Sequence, residues 1–297
     1  MGDVRSYLLL ISAVLSLVQS PALKPDPPIG CSSCDEWNQP REPFRVFGNS
    51  YYVGTAGLSA VLVTSDDGHV LLDGGLPQSA PLIDANIRRL GFRTEDVRLI
   101  VNSHEHYDHA AGIAALQRAS GATVAASPEG ARALELGASL PHDPQPTAEK
   151  FPPVKNVKVI SDGETLRVGP LAITAHFTPG HTPGATTWTW RSCEGARCLN
   201  VVYADSLSAV SDEGFRFSGD GTRPSIVETF RGSFDVVEAL PCDVLLVPHP
   251  FVMGMDETRA RQLKDPAVNP FIDAGACRAF AATQRKAFEA RIAGEQQ

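Results

Sequence analysis

Three histidines, a glutamate and an aspartate fall within six consecutive residues, His104 to His109 (HEHYDH), directly after the apolar run VRLIV. The whole chain has only eight histidines. VRLIV reads as a short buried strand and AAGIAALQRASG, after the cluster, as a helix, which sets the imidazoles on a strand-to-helix turn. His104 and His106 are two apart, so on an extended segment both rings point the same way. Asp108 and His109 are adjacent at the helix start and diverge. One turn therefore offers two donors to one metal ion and two to a neighbouring ion. The alternative is a polar loop rich in imidazole by coincidence.

Two more histidines decide between them. His181 lies between two Pro-Gly steps in FTPGHTPG, an exposed rigid turn, and His249 follows an apolar strand in LLVPHPF. Imidazole nitrogens with one carboxylate are a donor set that zinc prefers, and an open coordination position makes such a site catalytic. Two ions about 3.5–4 Å apart can share a hydroxide and stabilise both attack and departure. His69, His142 and His176 have no such setting and read as solvated turn residues.

The rest of the chain alternates strand and helix signals. LSAVLVTSDDGHVLLDGG is a hairpin turning at Asp67-Gly68. SAPLIDANIRRLG puts Leu82, Ile83, Ile87 and Leu90 on one helical face, with Ser79 as cap and Gly91 as stop. Ser127-Pro128 starts another helix. LPHDPQPTAEKFPP, with five prolines, reads as a long surface loop. Hairpin-like segments follow, then a helix facing inward with Ile226, Phe230, Phe234 and Val237, the strand DVLLV, and a last helix from about Cys277 to Ala293. This order predicts an α/β protein with two sheets covered by helices.

At 297 residues, 43% hydrophobic and 20% charged, the chain can bury a full core without staples. A formal charge of -8 and scattered basic residues argue against nucleic acid or an anionic membrane as partner. Arg5 ahead of YLLLISAVLSLV, with Ser20 and Ala22 after it, reads as a secretory signal (residues 1–22). An extension over 23–36 and one domain over 37–297 would follow. Export to the periplasm suits six cysteines, an even number that favours disulfides in an oxidising compartment. Cys193 and Cys198 flank a probable hairpin tip, and a Cys242–Cys277 bridge would tie the C-terminal helix to the core. Cys31 and Cys34 remain, with a short-loop bridge or zinc as the options.

HEHYDH, PGHTPG and VPHP, in this order and at these separations, resemble the metallo-β-lactamase superfamily from about Trp37 to the C-terminus. The resemblance implies a four-layer αβ/βα sandwich with metals at one edge of the sheets. WNQPREPFRVFGNSYYVGT, SHEHYDHAAG, WTWRSCEG and VYADSLSAVSD resemble β-lactamases of the third subclass (B3), exported dizinc enzymes, and Cys242 and Cys277 match a disulfide typical of it. Carried over, His104, His106 and His181 would bind the first zinc, and Asp108, His109 and His249 the second. Asp73 would orient a ligand histidine. Asp205, at a position where other members bridge both metals, would not be a ligand. Ser206 and Ser208, on one side of an extended segment, would bind the substrate carboxylate. Leu140, Phe151 and Phe215 would flank the site.

The implied function is hydrolysis of the β-lactam amide by a zinc-bound hydroxide, with Asp108 and His181 as catalytic residues and antibiotic resistance as the outcome. The substrate would be a small-molecule β-lactam taken by a monomer. Ser-x-x-Lys, the mark of serine β-lactamases, is absent. The rival reading is another dizinc hydrolase of the same fold, a lactonase or a thioesterase of the glyoxalase II kind.

Overall fold

Period-two alternation in the central strands determines the layers. In the computed structural model, which describes residues 23–295, Val61 and Val63 turn to one face of their sheet and Leu62 to the other. Both faces are apolar, so both are covered.

The first sheet runs in chain order: β1 (Phe44–Phe47), β2 (Ser50–Tyr52), β3 (Val61–Val63), β4 (His69–Leu72), β5 (Val97–Val101), β6 (Thr123–Ala126) and β7 (Lys158–Val159). β1 to β4 pair antiparallel, and β4 to β7 pair parallel. The second sheet holds β8 (Thr165–Val168), β9 (Leu171–Phe177), β10 (Thr186–Glu194), β11 (Arg197–Tyr203) and β12 (Val244–Leu246), in the order β12-β11-β10-β9-β8. Only the β11–β12 pair is parallel.

Among the described residues eight α-helices accompany the sheets: α1 (Cys34–Trp37), α2 (Ala80–Arg89), α3 (Tyr107–Ala110), α4 (Ile113–Ser120), α5 (Pro128–Leu136), α6 (Val227–Ala239), α7 (Met255–Lys264) and α8 (Ala276–Glu295). Ile83 and Ile87 of α2, Ile113 and Leu116 of α4 and Leu134 of α5 pack on Leu62, Leu71, Ile100 and Val124 of the first sheet. Phe230 and Phe234 of α6 and Phe280 and Phe288 of α8 pack on Val202 and Leu245 of the second. Between the sheets lie Val61, Val63, Val70, Leu72, Val101, Ile173, Trp188, Trp190, Val201 and Tyr203. These are the four layers expected, helix, sheet, sheet, helix. Each buried large side chain contributes about 1.5–3 kcal/mol.

Ser127 caps α5 by accepting from the Gly130 amide, and Gly91, with φ +87°, follows the end of α2. Ser79 stands at the head of α2, but its hydroxyl accepts from the Leu76 amide and donates to Asn38. The proline-rich stretch is not simply surface: Leu140, Asp143 and Phe151 are buried. Phe151 packs in the cluster with α5 and Phe215 in the one with α6 and α8, and Leu140 is buried too, so all three are core side chains. His69 is buried against Phe92, not solvated, and His176 is half-buried, contacting Thr189.

All six cysteines are paired, as Cys31–Cys34, Cys193–Cys198 and Cys242–Cys277. The second closes the β10–β11 tip and the third joins the lead-in of β12 to α8. The 23–36 extension packs on the rest of the chain: Leu23 enters the first helical layer, and the Ile29 amide donates to Gln78. The expected export signal lies outside the described residues. No helix among the described residues is long and apolar enough to cross a membrane.

Candidate metal centre

Five strands end at the same edge of the sandwich, and each delivers part of one polar cluster. Asp73 follows β4, His104 to His109 follow β5, His181 follows β9, Asp205 follows β11 and His249 follows β12. The turn after β5 is pressed onto the turn after β4. Gly74 and Gly75 both donate to the His109 carbonyl, at 2.8 and 3.1 Å. A Cβ on Gly112 would lie 2.1 Å from the Gly74 carbonyl, so this contact requires glycine.

Donor atoms of His104, His106 and His181 gather within 4.8 Å of one another, and so do those of His104, Asp108 and His109. His249 joins the second group: its Nε2 is 3.3 Å from His109 Nε2 and 3.4 Å from Asp108 Oδ2. Asp108 and His109, expected to diverge, instead bring their tips to 3.3 Å. The sequence-predicted ligands thus form one continuous cluster.

The outward nitrogens explain the inward ones. His104 Nδ1 contacts Asp205 Oδ1 at 2.8 Å, His181 Nδ1 contacts the Ser208 carbonyl at 2.9 Å and His249 Nδ1 contacts the Gly57 carbonyl at 3.2 Å. Carbonyls and carboxylates only accept, so these Nδ1 atoms carry the hydrogen and Nε2 keeps its lone pair for a metal. His106 is reversed, with Nε2 held by Asp143 at 3.1 Å and Nδ1 left as the donor. His109 Nδ1 is the exception, 3.8 Å from Asp73. Asp73, in a left-handed conformation with φ +62°, accepts instead from the Ser103 amide and hydroxyl and from the Tyr203 hydroxyl. It supports the turn that carries the donors more directly than any one ring.

The buried rings divide: burial drives His104 and His181 down, whereas the carboxylates of Asp143 and Asp108 outweigh burial and raise His106 and His109. Burial, with His106 nearby, pushes His181 down to about 3. Burial alone would raise Asp108, but His109 and His249 pull it well below the usual carboxylate range. Burial pushes Asp205 up to about 8 and Glu105 up to about 7, as expected of acids that need positive charge beside them. Asp205, Asp143 and Glu105 were not picked out by sequence as orienting groups: each is one acid whose partner lies in another turn.

The DSLS segment differs from expectation. Leu207, fully buried, has φ +49°, so Ser206 and Ser208 do not share a side of an extended segment. Ser208 turns to His181, with its hydroxyl 3.2 Å from Nδ1. The Ser206 hydroxyl is buried and has no hydrogen-bond partner. On the other side Trp37 and Phe251 flank His249, at ring separations of 5.2 and 5.1 Å.

A family model described as the metallo-beta-lactamase superfamily matches residues 53–192, the span from just past β2 through His181 into β10. The chain belongs to the metallo-β-lactamase superfamily. Among solved structures it is similar to the Rm3 metallo-β-lactamase, with 52% identity over 91% of this chain and 100% of that one and a TM-score of 0.88. It is also similar to MEM-A1, a subclass B3 metallo-β-lactamase isolated from a soil metagenome library, with 47% identity over 88% and 98% of the two chains and a TM-score of 0.84. Two curated relatives are more distant. An N-acyl homoserine lactonase of Bacillus thuringiensis is 26% identical over 41% of this chain and 54% of its own length. A probable metallo-hydrolase of Burkholderia pseudomallei is 30% identical over 37% of this chain and 36% of its own. The chain thus spans about a third to about half of the length of these curated relatives.

Proposed function

We propose that this chain is a zinc β-lactamase of subclass B3 that hydrolyses the β-lactam amide and confers resistance. The observation that carries the reading is the convergence of six donor side chains in two groups, in a chain similar along nearly its whole length to B3 β-lactamases. We read 37–297 as the catalytic unit, exported to the periplasm behind a signal and acting as a monomer.

The residues fit zinc, held by His104, His106 and His181 at one position and by Asp108, His109 and His249 at the other. Charge supports two ions. Asp73, Glu105, Asp108, Asp143 and Asp205 are each at most 6% exposed, and two divalent ions would allow the raised acids Asp205 and Glu105 to ionise with the rest. Bound zinc acts as a Lewis acid on a carbonyl and brings the pKa of its water to about 7.

The chain's own groups supply the rest. Asp108, held ionised, can accept a proton at the join of the two groups. His181 anchors the first group with Ser208 behind it, so Ser208 orients a ligand, and Ser206, whose unpartnered hydroxyl is buried, would donate to a substrate carboxylate only if its segment shifts. Trp37 and Phe251 give an apolar wall beside His249. The distant similarity to a homoserine lactonase keeps lactone hydrolysis as a second reading.

The test is carbapenem hydrolysis by the purified chain, untreated, chelated, and restored with zinc. Turnover lost on chelation and regained with zinc is expected. A chain that holds zinc but opens a lactone and no β-lactam would replace the first reading with the second.

A further inference from the structure

The HEHYDH turn contains one charged side chain in neither donor group. We infer that Glu105 is a positioning residue: its carboxylate clamps the turn carrying His181 to the turn carrying the other donors, and so sets the affinity of the first metal position. This rests on the metal-binding part of the reading above and not on the choice of substrate.

Glu105 is fully buried. It accepts from the Thr182 hydroxyl at 2.8 Å and from the Gly184 amide at 2.9 Å. The two contacts lie on either side of Pro183, immediately after His181. A Cβ on Gly184 would stand 2.7 Å from Glu105 Oε2 and 2.3 Å from the Gly130 amide nitrogen, so the turn is seated tightly. Its other anchors lead elsewhere: the Gly184 carbonyl accepts from Ser127 at the head of α5, and Pro179 accepts from Ser233 of α6. Between the two donor-bearing turns the remaining backbone link is Thr186 donating to Ser103, at 2.7 Å.

The His181 ring is oriented by Ser208, but its position follows the turn that carries it. His181 must meet His104 and His106, at ring separations of 4.6 and 4.9 Å, and those rings are fixed by a different strand. The Glu105 bridge adds a side-chain clamp beside His181 to the single backbone bond between the turns. Groups that orient metal ligands without touching the metal are worth about 10–100-fold in metal affinity.

The variants are Glu105→Ala, Glu105→Gln and Thr182→Val. Zinc affinity is measured by chelator competition in a His249→Ala background, where the second position lacks a donor, and ligand geometry by the visible spectrum of the cobalt-substituted protein. Glu105→Ala is expected to weaken zinc by about 10–100-fold and shift the cobalt bands. Glu105→Gln keeps an acceptor for the Gly184 amide and can reverse its bond with the Thr182 hydroxyl, so it should stay within about threefold. Thr182→Val should fall between them. A folded Glu105→Ala protein with unchanged zinc affinity and cobalt spectrum would overturn the clamp. So would Glu105→Gln matching Glu105→Ala, because charge and not the bridge would then matter. If Glu105→Ala does not fold, unchanged affinity in Thr182→Val overturns it equally. A wild-type chain that binds zinc but turns over no β-lactam sinks the substrate reading and leaves the clamp intact.

Discussion

The two donor groups are built differently. In the first, His104, His106 and His181 each have their outward nitrogen engaged, by Asp205, Asp143 and Ser208, and no ring is more than 6% exposed. In the second, His109 lacks a close partner on Nδ1, and the His249 side chain is 19% exposed between Trp37 and Phe251. The first group is arranged to retain an ion. The second is arranged to be reached. One edge of one sandwich thus carries a fully buttressed donor group beside one with a buried ring unpartnered at Nδ1, His109, and a part-exposed one, His249.

Deleting a donor from each group gives the widest contrast. His249→Ala should keep about one zinc, because three histidines remain at the first position. His181→Ala should weaken that position by more than the roughly 100-fold that an orienting partner is worth. Zinc content after gel filtration measures both, and equal losses would erase the contrast. Next, Asp205→Ala should weaken the first position about 10–100-fold, as removal of a ligand's outer partner does. Asp73→Asn should move the second position less, since its oxygen already stands 3.8 Å from His109. Calorimetric zinc titration of the two variants compares them directly. The smallest effect is expected at Phe251, which is 61% exposed. Phe251→Ala should leave folding stability within about 0.5 kcal/mol. It should raise KM for substrates with an aromatic side chain by about two- to tenfold, the worth of one lost aromatic contact. A uniform change across substrates would remove Phe251 from the accessible side of the comparison.

Much of this was legible from the residues. Strand alternation and helical faces anticipated two covered sheets, because a face that must be buried repeats its pattern every second residue or every turn. The six donors were legible because metal binding forces rare residue types into a short span after buried strands. What stayed hidden is whatever depends on distance across the fold. Asp143 lies in a proline-rich stretch without periodicity and reaches His106 across 37 positions. Asp205 contacts His104 across 101 positions. A lone acid in a loop looks the same whether it is solvated or aimed at an imidazole. The left-handed backbone at Leu207 was invisible for a related reason: leucine does not signal that conformation, and surrounding packing imposes it.

The β10–β11 hairpin has a practical side. Its strands begin and end beside the donors at Thr186 and Tyr203 and run away from them to the tip closed by Cys193–Cys198. At about 3.3 Å per residue the tip lies more than 20 Å along the sheet from the reacting edge. Glu194, Gly195, Ala196 and Arg197 are all exposed there. A reporter peptide or surface tether grafted between Gly195 and Ala196 would therefore anchor the protein to an electrode or bead with its open mouth facing solution, turning the molecule into an oriented sensor.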